Sequence, residues 1–230
     1  MKNLLYMILI CVCIGYFIGA INPSYILSRM KGFDIRKRGS GNAGASNAMI
    51  VLGKTVGVFC ALFDILKAYI AVRISQRLFP LFKVAGIITG SACILGHIFP
   101  VTMKFKGGKG LACLAGVAIS YDAKLFLILL AFEALLAYMT NYICTVATSG
   151  SAILGTVMYL RNGMVYLSIF LPVIVVIWIK HIINIRRIRY GVEARFSYLW
   201  NKKEEQERIR NNWNKLTEEE KLYVKLPELA

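Results

Sequence analysis

The sequence has few acidic residues and few charges of any kind. Asp and Glu number 12 against 28 Lys and Arg, and 17% of the 230 residues are charged, whereas soluble domains average about 25%. Apolar residues make up 57% of the chain, and the mean hydropathy is +0.60. This composition excludes an ordinary soluble domain and predicts an integral membrane protein.

The residue patterns of a disulfide framework or a zinc site are also missing. The chain has two histidines, six cysteines and no Cys-x-x-Cys pair. All six cysteines lie in apolar segments without a histidine at ligand spacing: Cys11, Cys13, Cys60, Cys93, Cys113 and Cys144. We therefore expect buried free thiols, and neither a metal nor a cofactor.

Long apolar runs are abundant. A bilayer core of about 30 Å requires about 20 helical residues, and five runs approach or exceed that length: 4–26, 50–74, 84–101, 125–142 and 164–183. Two shorter runs, 111–120 and 147–160, contain glycine and are interpreted as short spans or re-entrant segments. The predicted fold is all-α, a polytopic membrane helix bundle of about seven transmembrane helices, two of them short, or of five if neither short run crosses.

Basic residues are unevenly distributed between the links. They concentrate in residues 29–38, 104–109 and 186–195, and the intervening links hold fewer. By the positive-inside rule these three regions are cytoplasmic, which places the N-terminus outside and the C-terminus inside.

The net charge of +16 belongs to residues 1–196, because residues 197–230 contain seven basic and seven acidic residues. We therefore divide the chain into a membrane domain, 1–196, and a charged cytoplasmic tail, 197–230, which could bind a partner protein. The excess cations lie beside apolar spans, which favours contact with membrane lipids and phosphate and argues against nucleic acid.

One basic link reads Phe105-Lys-Gly-Gly-Lys-Gly110. Glycines let successive backbone N–H groups turn inward around an anion, and lysines add charge. The segment is not a Walker A motif, because Met103 occupies the first glycine position and Gly110 the magnesium-binding Ser/Thr position. It is either a phosphate-binding loop or a turn with membrane-surface lysines.

Residues 39–44, Gly-Ser-Gly-Asn-Ala-Gly, match the dinucleotide pattern Gly-x-Gly-x-x-Gly. A Rossmann turn must follow an apolar strand, whereas charged residues precede this one, so the match is rejected. The hydroxyl of Ser40 and the short amides of Asn42 and Asn47 still favour an anion-binding loop before a helix.

A third polar element ends the last apolar run. His181, Asn184 and Arg187 recur at intervals of three and share neighbouring parts of one helical face. Polar side chains are costly inside a membrane, so we favour a functional role for His181 and Asn184 over a simple interfacial anchor.

Together, three separated motifs resemble one family. They are Gly39-Ser-Gly-Asn-x-Gly-Ala-x-Asn47, Gly96-His-x-Phe-Pro100 with the 105–110 loop, and His181-x-x-Asn-Ile-x-Arg187 followed by Gly191-x-Glu193. The chain resembles the bacterial acyl-phosphate-dependent glycerol-3-phosphate acyltransferases. The resemblance implies transfer of a fatty acyl group from acyl phosphate to the 1-hydroxyl of glycerol 3-phosphate, giving lysophosphatidic acid and phosphate in the bacterial inner membrane, without a metal.

The resemblance also implies a site at the cytoplasmic face. The expected catalytic residues are Ser40, Lys109 and His181. The hydroxyl proton of the acceptor would pass either to a phosphate oxygen or to His181. The expected substrate-binding residues are Gly41, Asn42, Gly44, Asn47, Lys106, Gly107, Gly108, Gly110, Asn184 and Arg187.

The main departure is Ile50, where the family pattern has arginine. Lys54, four residues later, could partly replace that charge if both share one helical face. The loss leaves a second hypothesis, a weakly active or inactive relative that binds lipid intermediates or a partner protein. A small-anion transporter is less favoured, because the polar residues gather at one face.

Overall fold

A computed structural model describes residues 2–224, and in this part of the chain it contains helices and no strand. The polytopic all-α bundle predicted from composition is confirmed. The α-helices, in chain order, are α1 (Lys2–Ala20), α2 (Pro23–Met30), α3 (Ala45–Val51), α4 (Lys54–Leu78), α5 (Ala85–Ile98), α6 (Leu111–Tyr121), α7 (Ala123–Thr140), α8 (Ile143–Asn162), α9 (Met164–Arg189), α10 (Lys202–Asn214) and α11 (Glu218–Val224).

Six segments are long and apolar enough to cross a membrane. They are Asn3–Met30, Lys54–Leu78, Ala85–Met103, Ala123–Thr140, Ile143–Asn162 and Met164–Arg189, and the shorter apolar helix is Leu111–Tyr121. The run predicted at 147–160 is therefore longer than expected, because α8 continues through Gly150 and Gly155. Gly155 packs against Ile174 of α9, so this glycine lies at a helix contact rather than at a break.

Two breaks divide runs that the sequence treats as continuous. The first run is interrupted before Pro23, and the side chain of Asn22 accepts a hydrogen bond from the Tyr25 N–H to begin α2. The predicted span 50–74 begins instead at Lys54, because Gly53 with φ of +99° separates α3 from α4. Few other residues adopt that conformation without strain.

Small residues set the closest helix contact. Gly15 and Gly19 of α1 lie against α5, where an added Cβ would approach the carbonyl oxygens of Thr89 and Cys93 to 2.2 and 2.1 Å. Gly15 and Gly19 thus form a small-residue packing face on α1. It places α5, which is buried along most of its length, at the centre of the bundle.

The predicted free thiols are confirmed as well. All six cysteines are free; Cys13 is exposed and the other five are buried.

The C-terminal tail folds onto the bundle. Val192, Ile209 and Val224 are buried together, with Trp213 and Leu216 packed around them. Thr217 and Glu220 form a capping box, because each backbone N–H donates to the other residue's side chain. The tail therefore lies beside residues 190–195, at the end of α9.

Candidate active site

Asn47 shapes the first glycine loop. Its amide nitrogen donates to the carbonyl oxygens of Ile35, Arg38 and Asn42 at 2.9–3.1 Å, and its oxygen accepts from the Ser40 N–H at 2.7 Å. The side chain is 1% exposed and lines neither of the two cavities that meet at Ser40, Asn42 and Lys109. Asn47, expected to bind substrate, instead holds the loop that presents Ser40 and Asn42.

The second glycine loop does not form the expected backbone anion nest at Gly107 and Gly108. Their N–H groups donate to the carbonyl oxygens of Ile98 and His97 at 3.0 and 3.1 Å, so they are engaged within the protein. The glycines are required for space instead, since a Cβ at Gly108 would lie 2.0 Å from the His97 ring. The loop's contribution to a ligand is therefore the ammonium of Lys109, not these two amides.

A buried polar cluster packs against this loop, because the His97 ring lies next to Gly108. Lys67 Nζ lies 2.7 Å from Asp64 Oδ1 and 3.1 Å from His97 Nδ1. Asp64, His97 and Cys113 bring potential ligand atoms within 4.8 Å of one another, but the Lys67 ammonium already supplies the cation that pairs with the carboxylate. The cluster thus fits a structural role for His97.

The end of α9 delivers three buried polar side chains. His181, Asn184 and Arg187 are 4%, 6% and 4% exposed. The Arg187 guanidinium donates to the Ser40 carbonyl oxygen at 3.1 Å, which joins α9 to the first loop. His181 Nδ1 lies 2.7 Å from the carbonyl oxygen of Ile177; because a carbonyl only accepts, Nδ1 carries the proton, and in the neutral ring Nε2 is the accepting nitrogen.

Lys109 connects the second loop to α9. Its ammonium donates to Asn184 Oδ1, and the Asn184 amide nitrogen donates to Glu193 Oε1. Burial lowers the pKa of Lys109 from 10.5 to about 8, and the Glu193 carboxylate opposes that shift. Burial raises the pKa of Glu193, and the Lys109 ammonium opposes it. Lys109, Asn184 and Glu193 thus form a row of hydrogen-bonded side chains in which each side chain orients the next.

Two adjoining cavities meet at Ser40, Asn42 and Lys109. The smaller, of about 330 Å³, is polar, and four cations line it: Arg36, Lys109, Lys180 and Arg187. Within residues 2–224, no carboxylate lines this cavity. It is suited to a small phosphorylated ligand.

The larger cavity, of about 410 Å³, is mostly apolar and is lined by residues of α4, α6, α7 and α8. His181, Asn184 and Glu193 contribute polar groups to its lining, and Leu129 and Leu154 contribute apolar ones. This arrangement suits a hydrocarbon chain with a reactive head group at the polar junction.

Most of the predicted site residues line one or both cavities. They are Ser40, Gly41, Asn42, Gly44, Gly107, Gly108, Lys109, Gly110, His181, Asn184 and Arg187. Lys106, like Asn47, lines neither cavity, and its side chain is exposed. The tertiary structure thus gathers three motifs that are up to about 150 positions apart in the chain.

Several charged residues of the cavity linings are missing from the predicted site, among them Arg36, Lys180 and Glu193. Arg36 is predicted only as part of a cytoplasmic basic link, Glu193 only as part of a motif, and Lys180 carries no prediction. Arg36 donates to the Met103 carbonyl oxygen at 2.7 Å and so links the two loops. The sequence does offer a signal for Glu193, because it is the first carboxylate after the basic end of the last apolar run.

Ile50 lines the apolar cavity, whereas Lys54 does not. The two residues lie on different helices because of the break at Gly53, so the proposed shared helical face does not exist. A basic group of the tail lies close to Ile50, since the Lys202 ammonium donates to the Ile50 carbonyl oxygen at 3.5 Å.

Comparison with known proteins gives a consistent result. Residues 9–191 match the family model described as glycerol-3-phosphate acyltransferase. The chain is 37% identical over 190 residues to the glycerol-3-phosphate acyltransferase of Sinorhizobium medicae, covering 81% of this chain and 91% of that protein. It is 38% identical over 186 residues to glycerol-3-phosphate acyltransferase 2 of Thermotoga maritima, covering 79% and 93%.

Two solved structures are similar to the fold. Both are of PlsY (YgiH), an integral membrane glycerol 3-phosphate acyltransferase. The glycerol 3-phosphate form has a TM-score of 0.76 at 30% identity and covers 84% of this chain and 96% of that one. The lysophosphatidic acid form has a TM-score of 0.72 at 29% identity, with coverages of 82% and 94%.

Proposed function

Because the chain belongs to the glycerol-3-phosphate acyltransferase family, we propose that it takes its acyl group from acyl phosphate and forms lysophosphatidic acid. The 1-hydroxyl oxygen of glycerol 3-phosphate attacks the acyl carbonyl carbon. The bond from that carbon to the phosphate oxygen breaks, and phosphate leaves with the electron pair. The hydroxyl proton ends on the released phosphate, either directly or through His181 Nε2.

One observation carries the proposal: a cation-lined cavity opens into an apolar cavity at Ser40, Asn42 and Lys109. The polar cavity would take the phosphate of the acceptor, and the apolar cavity would take the acyl chain of the donor. Their junction is then the only place where the two reacting groups meet.

Positioning accounts for much of the catalysis. Acyl phosphate is an activated mixed anhydride, so a strong base is not required. Aligning two bound reactants can supply about 7 to 11 kcal/mol of the barrier. Lys109 and the hydroxyl of Ser40 would stabilise the charge that develops at the junction, while Asn184 and Arg187 hold the elements that carry them.

The inner membrane and a cytoplasmic face are part of the same proposal. Three of the four cations of the polar cavity, Arg36, Lys109 and Arg187, come from the three regions that the positive-inside rule assigns to the cytoplasm. Glycerol 3-phosphate, a soluble dianion, would enter from that side, and the acyl donor would enter from the lipid.

The test is a turnover assay with purified protein in lipid nanodiscs, given palmitoyl phosphate and glycerol 3-phosphate. We expect equal amounts of phosphate and lysophosphatidic acid, and no lysophosphatidic acid when palmitoyl-coenzyme A replaces the acyl phosphate. Protein that is folded but inactive with palmitoyl phosphate would favour the alternative, a relative that has lost catalysis together with the family arginine at position 50.

A further inference from the structure

The C-terminal helices α10 and α11 lie beyond residues 9–191, the part of the chain that matches the family model. Their contacts with residues 191–195 nevertheless connect to Lys109 through the side chains of Glu193 and Asn184. The inference drawn from these contacts rests on the proposed function for the role of Lys109.

Arg208 of α10 binds the backbone on both sides of Val192. Its guanidinium donates to the carbonyl oxygen of Gly191 and, at 2.7 Å, to that of Glu193. Glu205 holds the guanidinium in a two-pronged ion pair at 2.6 and 2.8 Å. Two parallel hydrogen bonds of this kind fix the orientation of the Arg208 guanidinium as well as its distance from Glu205.

Two further contacts secure the same segment. Asn212 donates to the Gly191 carbonyl oxygen at 2.9 Å, and Glu205 accepts the Arg195 N–H at 2.9 Å. Gly191 has φ of +67°, and a Cβ there would lie 2.7 Å from the Asn212 amide nitrogen. The chain turns closely against α10, and glycine is required at the turn.

The anchored segment presents Glu193 to the active site. Glu193 accepts from Asn184, and Asn184 accepts from Lys109. The backbone of Glu193 is thus bound by the tail while its carboxylate orients the amide that holds the catalytic ammonium.

The tail also reaches the other side of the polar cavity. The Val224 carbonyl oxygen accepts from Arg187 Nε at 2.9 Å, and the same guanidinium binds the Ser40 carbonyl oxygen. The Arg186 guanidinium lies 4.2 Å from the ring centre of Tyr223, a cation–π contact. Both ends of the helical pair are therefore attached to elements that line the site.

We propose that the C-terminal helices are part of the catalytic unit, and that Arg208 is a positioning residue that holds Glu193 and Asn184 so that Lys109 points into the junction of the two cavities. Arg208 lines neither cavity and acts on the substrate only through this row.

The expected signature is a change in the titration of Lys109. The titratable groups that face Lys109 come from α8, α9 and the anchored segment: Cys144, Lys180, His181, Arg187 and Glu193. Glu193 is the only carboxyl among them, and its charge raises the pKa of Lys109 against the effect of burial. When Glu193 is displaced, the pKa of Lys109 falls further below its ordinary value.

The experiment compares full-length wild type, Arg208→Gln and Arg208→Lys with Arg210→Gln, a control on the exposed face of α10. Reductive methylation followed by mass spectrometry reports the neutral fraction of Lys109 at each pH without any need for turnover. The kcat and KM for glycerol 3-phosphate are measured on the same preparations.

For Arg208→Gln we expect a loss of about 5- to 30-fold in kcat/KM, the effect of one or two kcal/mol, together with a Lys109 titration moved to lower pH. Arg208→Lys should restore part of both, and Arg210→Gln should match wild type. An unchanged Lys109 titration in folded Arg208→Gln overturns the proposal, whether or not activity falls, because a purely structural role would lower activity alone.

Should Arg208→Gln not fold, Glu205→Gln decides, since it removes the carboxylate charge that holds the Arg208 guanidinium against the segment 191–195. A smaller shift of the Lys109 titration in the same direction supports the proposal, and none overturns it. A wild-type protein without acyl-phosphate turnover would count against the proposed function, while the comparison of Lys109 titrations would still stand.

Discussion

At the scale of single residues, the site depends on side chains that are held by other side chains. Lys109 is partly buried beside Asn184, and His181 is oriented by a backbone carbonyl. Asn47 makes four hydrogen bonds to backbone groups and so fixes the first loop. Such contacts reduce the conformational freedom that substrate binding would otherwise have to remove.

The lowered pKa of Lys109 predicts an alkaline limit to activity. In the proposed function the charged form of Lys109 binds phosphate. Its pKa is about 8 in the folded protein, so charge is present below that pH and is lost as pH rises through it. We expect kcat/KM for glycerol 3-phosphate to decline with a midpoint near pH 8, as measured in pH profiles.

Lys104→Gln is the matched control, because Lys104 is exposed in the same loop and lines neither cavity. It should leave the midpoint where it is in the wild type. An activity that stays constant up to pH 10 would show that a neutral Lys109 suffices.

At the scale of helices, two devices bring the motifs together. Glycines let α1 approach the backbone of α5, and glycine also lets the 107–108 loop fold back onto the end of α5. Van der Waals contact of this kind is a main source of helix association in lipid, where no hydrophobic force acts between helices.

We predict that Gly19→Ala lowers the thermal stability of the protein in detergent. The added methyl would lie 2.1 Å from the Cys93 carbonyl oxygen, and overpacking of this kind typically costs about 1 to 3 kcal/mol. Thermal unfolding followed by light scattering measures the change. Cys13→Ala, on an exposed part of the same helix, should unfold near the wild-type temperature; if both variants matched wild type, close α1–α5 packing would not contribute to stability.

At the scale of the whole molecule, the site constrains the path of the chain through the membrane. The loops after α2 and α5 and the end of α9 line one cavity, so they lie at one face. The chain between α5 and α9 must then cross an odd number of times. Because α7 and α8 are both long enough to cross, we predict that the 11-residue α6 makes the remaining crossing, for seven in total.

Cysteine labelling in sealed inverted vesicles tests this arrangement. Cysteines placed at the exposed positions Met30 and Lys104 should react with an impermeant maleimide added outside the vesicles, and one at Leu81, which is 95% exposed, should not. Reaction at Leu81 and Lys104 from the same side would contradict both the seven crossings and the shared pocket.

Most of the bundle and the site's membership could be predicted from the sequence, because their signals are local. Apolar runs identify the spans, and glycines beside polar or basic residues predict anion-binding loops at Ser40, Asn42 and Lys109, three residues that line both cavities. The break at Gly53 and the full length of α8 were less accessible, because a glycine in an apolar run can mark either a turn or a helix contact, and only the neighbouring helix distinguishes them.

The sequence by itself thus determined that the protein is a membrane helix bundle with three polar, glycine-rich or basic elements. Only the tertiary structure decided that Gly107 and Gly108 donate their N–H groups to the end of α5 and that Asn47 orders a loop. It alone also decided that Glu193 accepts from the amide that holds Lys109, and that the C-terminal helices hold the backbone of Glu193. The physical reason is that a hydrogen bond between residues about 75 positions apart, such as that of Lys109 with Asn184, leaves no periodicity in the chain and exists only once the helices are packed.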